Sequence, residues 1–244
     1  MNEFIQKNYT LLINLLEFIA AITGIIFYKK FKYSSYKYFI WFLVYITICE
    51  IIGSYTIYVK DGRFLYFLKG TIIEKNYWWS TIFWKIGAIM FYAFYFNKIL
   101  KSAQLKTIIR YCALSFLIFS IGYILMHWGA FFTSFFPIIS VLGAIIIFLC
   151  TVFYFIEILE SDNILSFYKS LNFYISAAIF IWWLIITPIV FYDNYTTYQI
   201  DIFQRDWDYI KIRRLIYLFA NICMYLIFTF ALIFCTPEIE NDTY

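Results

Sequence analysis

The chain has 244 residues, 64% hydrophobic, 25% aromatic and 14% charged, with a net charge of +4 and a mean hydropathy of +0.77. Soluble domains carry roughly 45–50% apolar and about 25% charged residues, and a chain of this length has no core large enough to hide the difference. A water-soluble globular fold is therefore excluded, and the small, scattered positive charge excludes a nucleic-acid partner.

Seven apolar stretches reach the roughly 20 residues that cross a hydrocarbon core. They predict an all-α fold, a polytopic membrane helix bundle with about seven transmembrane helices in one domain over residues 1–244, with the lipid bilayer as its solvent. The first stretch, Tyr9–Tyr28, contains Glu17 and is followed by Lys29, Lys30 and Lys32. It reads as a retained helix rather than a removable signal peptide. Asn14, Glu17, Ala21 and Gly24 share one of its faces. On the second span, Tyr38–Val59, the matching face holds Thr47, Glu50 and Ser54. Small and polar residues on membrane helices normally look towards other helices. The connection Lys60–Tyr77 sets Phe64, Leu65, Phe67 and Leu68 among Arg63 and Lys69, a pattern suited to a short helix on the membrane surface or to a plain cap.

The third span, Trp78–Leu100, aligns Thr81, Lys85, Ala88 and Tyr92. Trp78, Trp79, Trp128 and Trp207 are expected as interfacial anchors. The fourth span, Tyr111–Trp128, carries His127, the only histidine, beside its terminal Trp128, read as interfacial. In the fifth, Phe135–Leu159, Glu157 is expected to reach water together with Glu160 and Asp162. In the sixth, Phe173–Tyr192, the stripe Ser176, Phe180, Trp183 and Thr187 is expected to face the interior, with Trp183 a candidate pocket wall. Pro188 frees the Leu184 carbonyl of its helical bond. A second amphipathic connection, Asp193–Arg214, places Ile202, Phe203 and Trp207 among Arg205 and Asp206. The seventh span, Leu215–Thr236, aligns Asn221 with Arg214, Tyr217 and Phe228.

The lysines after the first span predict an external N-terminus and a cytoplasmic C-terminus. Over the whole chain, nine basic residues fall on each side and Lys85 lies within the membrane. The expected location is a cell membrane, the inner membrane of a bacterium. The cytoplasmic connections are short, and the tail Pro237–Tyr244 is short and acidic, so signalling would pass through a separate cytoplasmic or membrane partner. No internal repeat of the kind common in transporters is visible.

Charged groups in hydrocarbon cost at least ~2.5–3.5 kcal/mol each and mark function by default. At 1.5 Å per residue, Glu17 lies roughly 12 Å, Glu50 roughly 14 Å, and Lys85 and Asn221 roughly 10 Å from the same membrane face. The expected site is this slab: Glu17, Glu50, Lys85 and Asn221, with Trp183. One Glu–Lys pair is self-neutralising, so the second acid needs a proton, a cation or a ligand amine. The competing reading is that the pair fixes helix register and Asn221 makes a helix–helix hydrogen bond.

The five cysteines lie in apolar segments without metal-ligand spacing, and a lone histidine rules against a zinc site or a catalytic triad. No cofactor or metal is expected. The last span lacks the lysine of a retinal protein. No Gly-x-Ser-x-Gly or His-Glu-x-x-His motif points to an enzyme, and none is expected. The leading expectation is a sensory or regulatory seven-span module that binds a small ligand or ion in the outer-half pocket and acts through a partner. A small-solute or proton- or cation-coupled transporter comes second, and an accessory subunit of a membrane complex third.

Overall fold

The computed structural model describes residues 3–161, 166–199 and 207–237, all helix, turn and connection with no strand among them. Helix α1 spans Glu3–Ile26, followed by the short α2 (Tyr28–Phe31) and by α3 (Tyr36–Gly53), which tightens into a 3-10 turn over Ser54–Val59. After a connection with one 3-10 turn, Tyr66–Leu68, come α4 (Tyr77–Trp79), a π-helix over Ser80–Gly87 and α5 (Ala88–Ile99). Then follow α6 (Ala103–Met126), α7 (Trp128–Phe131), α8 (Pro137–Leu159), α9 (Leu171–Gln199) and α10 (Trp207–Phe234).

Among the described residues, six helices are long and apolar enough to cross a membrane: Asn8–Ile26, Tyr36–Val59, Ala103–Met126, Pro137–Leu159, Leu171–Asp193 and Asp208–Phe234. The expected third span is helical from Tyr77 to Ile99, but in three pieces, α4, π and α5. The chain is thus an all-helical, multi-pass membrane bundle, with its interrupted segment amid α3, α6 and α8. We call the end at which α1 begins the N-face and the end at which α10 finishes the C-face.

Packing closes a circuit. Helix α1 lies against α3 and α10, α10 against α9, α9 against α8, and both α3 and α8 against the π-helix and α5. Helix α6 packs outside this circuit, on α5 and α8. Close approach is set by small residues: a Cβ on Gly24 would stand 3.1 Å from Ile40 Cγ2, and one on Gly143 only 1.8 Å from Ile89 Cδ1.

The two halves differ. Towards the C-face the interior is filled by large, fully buried side chains, Phe31, Tyr36, Phe39, Tyr95, Phe96 and Phe228 among them. Phe39 meets Phe228 edge-on at 4.9 Å and Tyr95 at 6.1 Å, and the Tyr95 hydroxyl donates to Asn172 Oδ1 at 2.6 Å. The C-face is tied by Lys30 Nζ, which donates to the Ile233 carbonyl at 3.1 Å.

Several expectations change here. Glu157 does not simply reach water. Its carboxylate accepts the backbone N–H groups of Lys101 and Ser102, at 2.8 and 2.7 Å, where α6 begins. A helix start offers unpaired donors and favours negative charge, so the acid is drawn there. Glu160 is exposed, and Asp162 lies outside the described residues. Trp78 and Trp79 hold the interrupted segment to α3 rather than serving only as lipid anchors: Trp79 Nε1 donates to the Cys49 carbonyl at 2.9 Å and Trp78 Nε1 to the Tyr55 hydroxyl at 3.3 Å. Trp128 is exposed, while the Trp207 side chain lies outside the described residues.

The 60–76 connection does not form a surface α-helix. It folds back on the end of α3, where the Tyr55 hydroxyl donates to the carbonyls of Ile73 (2.6 Å) and Lys75 (3.0 Å). The sixth and seventh spans run past their expected ends, so Asp193 and Asp208–Arg214 are helical rather than loop. Ile202, Phe203, Arg205 and Asp206 lie outside the described residues.

Candidate functional site

Glu17 sits on the face of α1 that packs into the bundle, with Ala20, Ala21 and Gly24 beside it. The residue is 3% exposed. The Tyr225 hydroxyl on α10 donates to Glu17 Oε1 at 3.0 Å, and Glu17 Oε2 is buried with no hydrogen-bond partner. On α3, Thr47 donates to the Leu43 carbonyl at 2.9 Å and reaches the Glu17 carbonyl at 3.5 Å, locking the two helices at this level. Glu50, one turn further towards the N-face, is half-buried and in electrostatic range of Glu17.

The π-helix forms the opposing wall. Its wider turn re-aims consecutive side chains, and such segments often mark functional sites. Trp84 turns its buried indole N–H towards Glu50 without reaching hydrogen-bond geometry, and that N–H has no other partner. The next residue, Lys85, points to a different neighbourhood. Its ammonium lies over the Phe135 ring, 4.8 Å from the centroid, in electrostatic range of Arg213 and Asp193. The expected Glu–Lys pair is not formed: among the described residues, Lys85 takes part in no ion pair. Thr81, one turn before it, is fully buried with its hydroxyl unpartnered.

The mouth of this region was not visible from the sequence. Arg213 Nε on α10 pairs with Asp193 Oδ2 on α9 at 2.7 Å, and the Tyr209 hydroxyl donates to Asp193 Oδ1 at 2.7 Å. The Arg213 guanidinium lies 5.1 Å from the centroid of the Tyr217 ring. Arg214, expected to head the inward face of the last span, is exposed; Arg213 takes that place. Tyr9 on α1 lies in electrostatic range of both Arg213 and Glu50.

Asn221 is buried, and its Oδ1 accepts from Trp182 Nε1 at 3.0 Å. The interior stripe of α9 therefore runs through Asn172, Ile175, Ser176, Ile179, Trp182 and Ile186, with Ser176 fully buried as expected. Phe180, on the expected stripe, packs against Phe148 and Phe155 of α8 instead. Trp183 stands edge-on to Trp182 at 5.2 Å, half-buried, and its carbonyl accepts from the Thr187 hydroxyl. Of the five expected residues, the structure brings Glu17 and Glu50 together, places Lys85 near the mouth, and ties Asn221 into a helix–helix contact. Trp183 is not placed on any of them.

Among the described residues no three His, Cys, Asp or Glu side chains gather as a metal site. A groove of about 380 Å³ also opens on the N-face, lined in part by Ile72, Glu74, Lys75, Trp128 and Phe132. No protein family matches the chain, and neither a curated protein nor a solved structure matches it.

Proposed function

We propose that this protein is a membrane sensor or regulator that binds a small ligand through the ligand's positively charged group, in the N-face half of the bundle between Glu17 and Glu50. The observation that carries the reading is Glu17: a carboxyl 3% exposed, with one oxygen unpartnered, facing a second acid while the nearby lysine is directed elsewhere. A buried polar atom without a partner costs about 1–3 kcal/mol, and a bound ammonium or monovalent cation supplies what both acids lack. The large aromatic side chains that fill the C-face half favour binding over passage. The reading includes an N-face turned outwards, as the lysines after α1 suggest, and a partner at the cytoplasmic face of a bacterial inner membrane.

A coupled transporter is the second reading, favoured by the interrupted segment, because broken helices form the substrate sites of many carriers. Both are tested with the full chain in nanodiscs and in sealed liposomes, using methylammonium, butylamine, sodium and potassium as probes. The sensor reading expects at least one probe to bind saturably, the Glu17→Gln/Glu50→Gln double variant to lose that binding, and liposomes to accumulate none. Accumulation that the double variant abolishes would establish the transporter instead. Identical behaviour of parent and double variant towards every probe would remove the acid pair from consideration.

A further inference from the structure

We infer that the N-face groove between the 60–76 connection and α7 is a binding site for an anionic phospholipid, which sets its phosphate against Lys75 and the start of an acyl chain against Trp128 and Phe132. The groove shares no residue with the acid pair, so this inference stands apart from the preceding proposal.

One cavity of about 380 Å³ joins the residues concerned: Ile72, Glu74 and Lys75 from the connection, and Trp128, Phe132 and Thr133 from α7 and the turn after it. Its two charged side chains differ in what they offer. Glu74 Oε2 already accepts the Gly70 N–H at 2.8 Å. Lys75 is exposed, its ammonium 5.8 Å from the centroid of the Tyr77 ring and in no ion pair among the described residues. Trp128 and Phe132 stand edge-on at 5.3 Å and, with Ile72, give the groove an apolar side. A cation at one end and rings at the other suit an amphiphile with an anionic head.

The groove's place in the fold selects a lipid. Trp128 follows directly on α6, the helix packed outside the circuit. Ile118, Ile121 and Leu125 recur on α6 at helical spacing and are all exposed, so a stripe of that helix faces hydrocarbon almost to its N-face end. An acyl chain lying along the stripe ends beside Trp128, at the level where membrane tryptophans meet headgroups. Phe64 and Phe67, on the same connection as Lys75, are also exposed and set that connection against the headgroup layer. A lysine at this level attracts an anionic headgroup. A soluble anion would meet Lys75 but leave the apolar side in water. A zwitterionic lipid brings its own ammonium, which competes with Lys75 for the phosphate.

The test uses the full chain in nanodiscs containing phosphatidylglycerol or phosphatidylcholine, each with a diazirine at the glycerol end of one acyl chain. After irradiation the labelled residues are mapped by mass spectrometry. Phosphatidylglycerol is expected to label residues 71–75 or 128–133 about fivefold more than phosphatidylcholine does. Lys75→Met is expected to lower that labelling about fivefold. Lys60→Met, at an exposed lysine of the same connection outside the groove, is expected to leave it within about twofold. Unlabelled phosphatidylglycerol should compete, whereas glycerol phosphate and inorganic phosphate should not. Equal labelling by the two lipids, labelling only outside the two segments, or labelling indifferent to Lys75→Met would overturn the site. Competition by glycerol phosphate or inorganic phosphate would give the groove to a soluble anion and remove the lipid.

Discussion

At Glu17 the two carboxylate oxygens have different fates, and substitutions separate them. Oε1 takes the Tyr225 hydroxyl at 3.0 Å and Oε2 takes nothing. Tyr225→Phe removes the donor and leaves a second buried acceptor unmet, so it is expected to lower stability by about 1–3 kcal/mol, read as the unfolding midpoint in detergent. Glu17→Gln keeps an acceptor for Tyr225 and is expected to unfold closer to the parent than Tyr225→Phe does. A stable Tyr225→Phe would mean that this hydrogen bond does not hold α1 to α10. The acid of the pair was legible in the sequence, because an ionisable group is conspicuous in an apolar run. Its partner was not. In a chain with 24 tyrosines and eight tryptophans, nothing in the pattern singles out Tyr225, Trp84 or Trp182. Asp193 and Arg213 were missed for another reason: both lie where span length alone places loop, and only the longer helices bring them face to face.

The interrupted segment raises the question of what pays for leaving the α-helical ladder. On returning from π to α spacing, the Ala88 N–H goes to the Trp84 carbonyl, which passes over the carbonyl of Phe83. Tyr45 of α3 supplies the missing donor, its hydroxyl 3.2 Å from that oxygen. Tyr45→Phe is thus expected to cost about 1–3 kcal/mol and to weaken ligand binding, since Trp84 is aimed by this turn. Unchanged stability and binding would show that the π-helix is held by other contacts. On the far side of the same segment, Gly143 of α8 admits Ile89 of α5. A methyl there would meet Ile89 Cδ1 at 1.8 Å and Cγ1 at 3.0 Å, and Ile89 is 1% exposed with nowhere to turn. Gly143→Ala is expected to destabilise by about 1–3 kcal/mol through overpacking, with the midpoint of thermal unfolding as readout. Neither the π turn nor this contact could be read in advance. Apolar periodicity reports that a helix exists, but not where its ladder slips or which glycine a neighbour enters.

Across the whole molecule, the candidate-site groups lie in one half of the membrane, while the other half holds the largest buried rings together with its own polar ties, Tyr95 to Asn172 and Glu157 to the start of α6. Glu17, Glu50, Asn221, Lys85 and the Asp193–Arg213 pair are spread between mid-span and the N-face. Towards the C-face the Phe39, Tyr95, Phe96 and Phe228 rings are each at most 1% exposed. The sequence did carry this division in part, since depth counted along helices groups the rare polar residues on one side. It did not reveal the seal, because aromatic residues occur in every span and only the circuit of packed helices gathers these at one level. The asymmetry has a consequence for access. With the five native cysteines replaced, single cysteines at Tyr9 and Glu50 should react with a membrane-impermeant methanethiosulfonate added from the N-face, and the ligand should protect them. Cysteines at Phe39 or Phe228 should resist the reagent from either face, because native-density packing leaves no water beside them. A carrier needs a state in which that layer opens to the C-face. Reaction at Phe39 or Phe228 from the C-face, slowed by ligand, would therefore defeat the sensor reading. Resistance there, with protection at Glu50, leaves a site that fills from one side, so any signal must cross the packed half as a shift of helices rather than as the ligand itself.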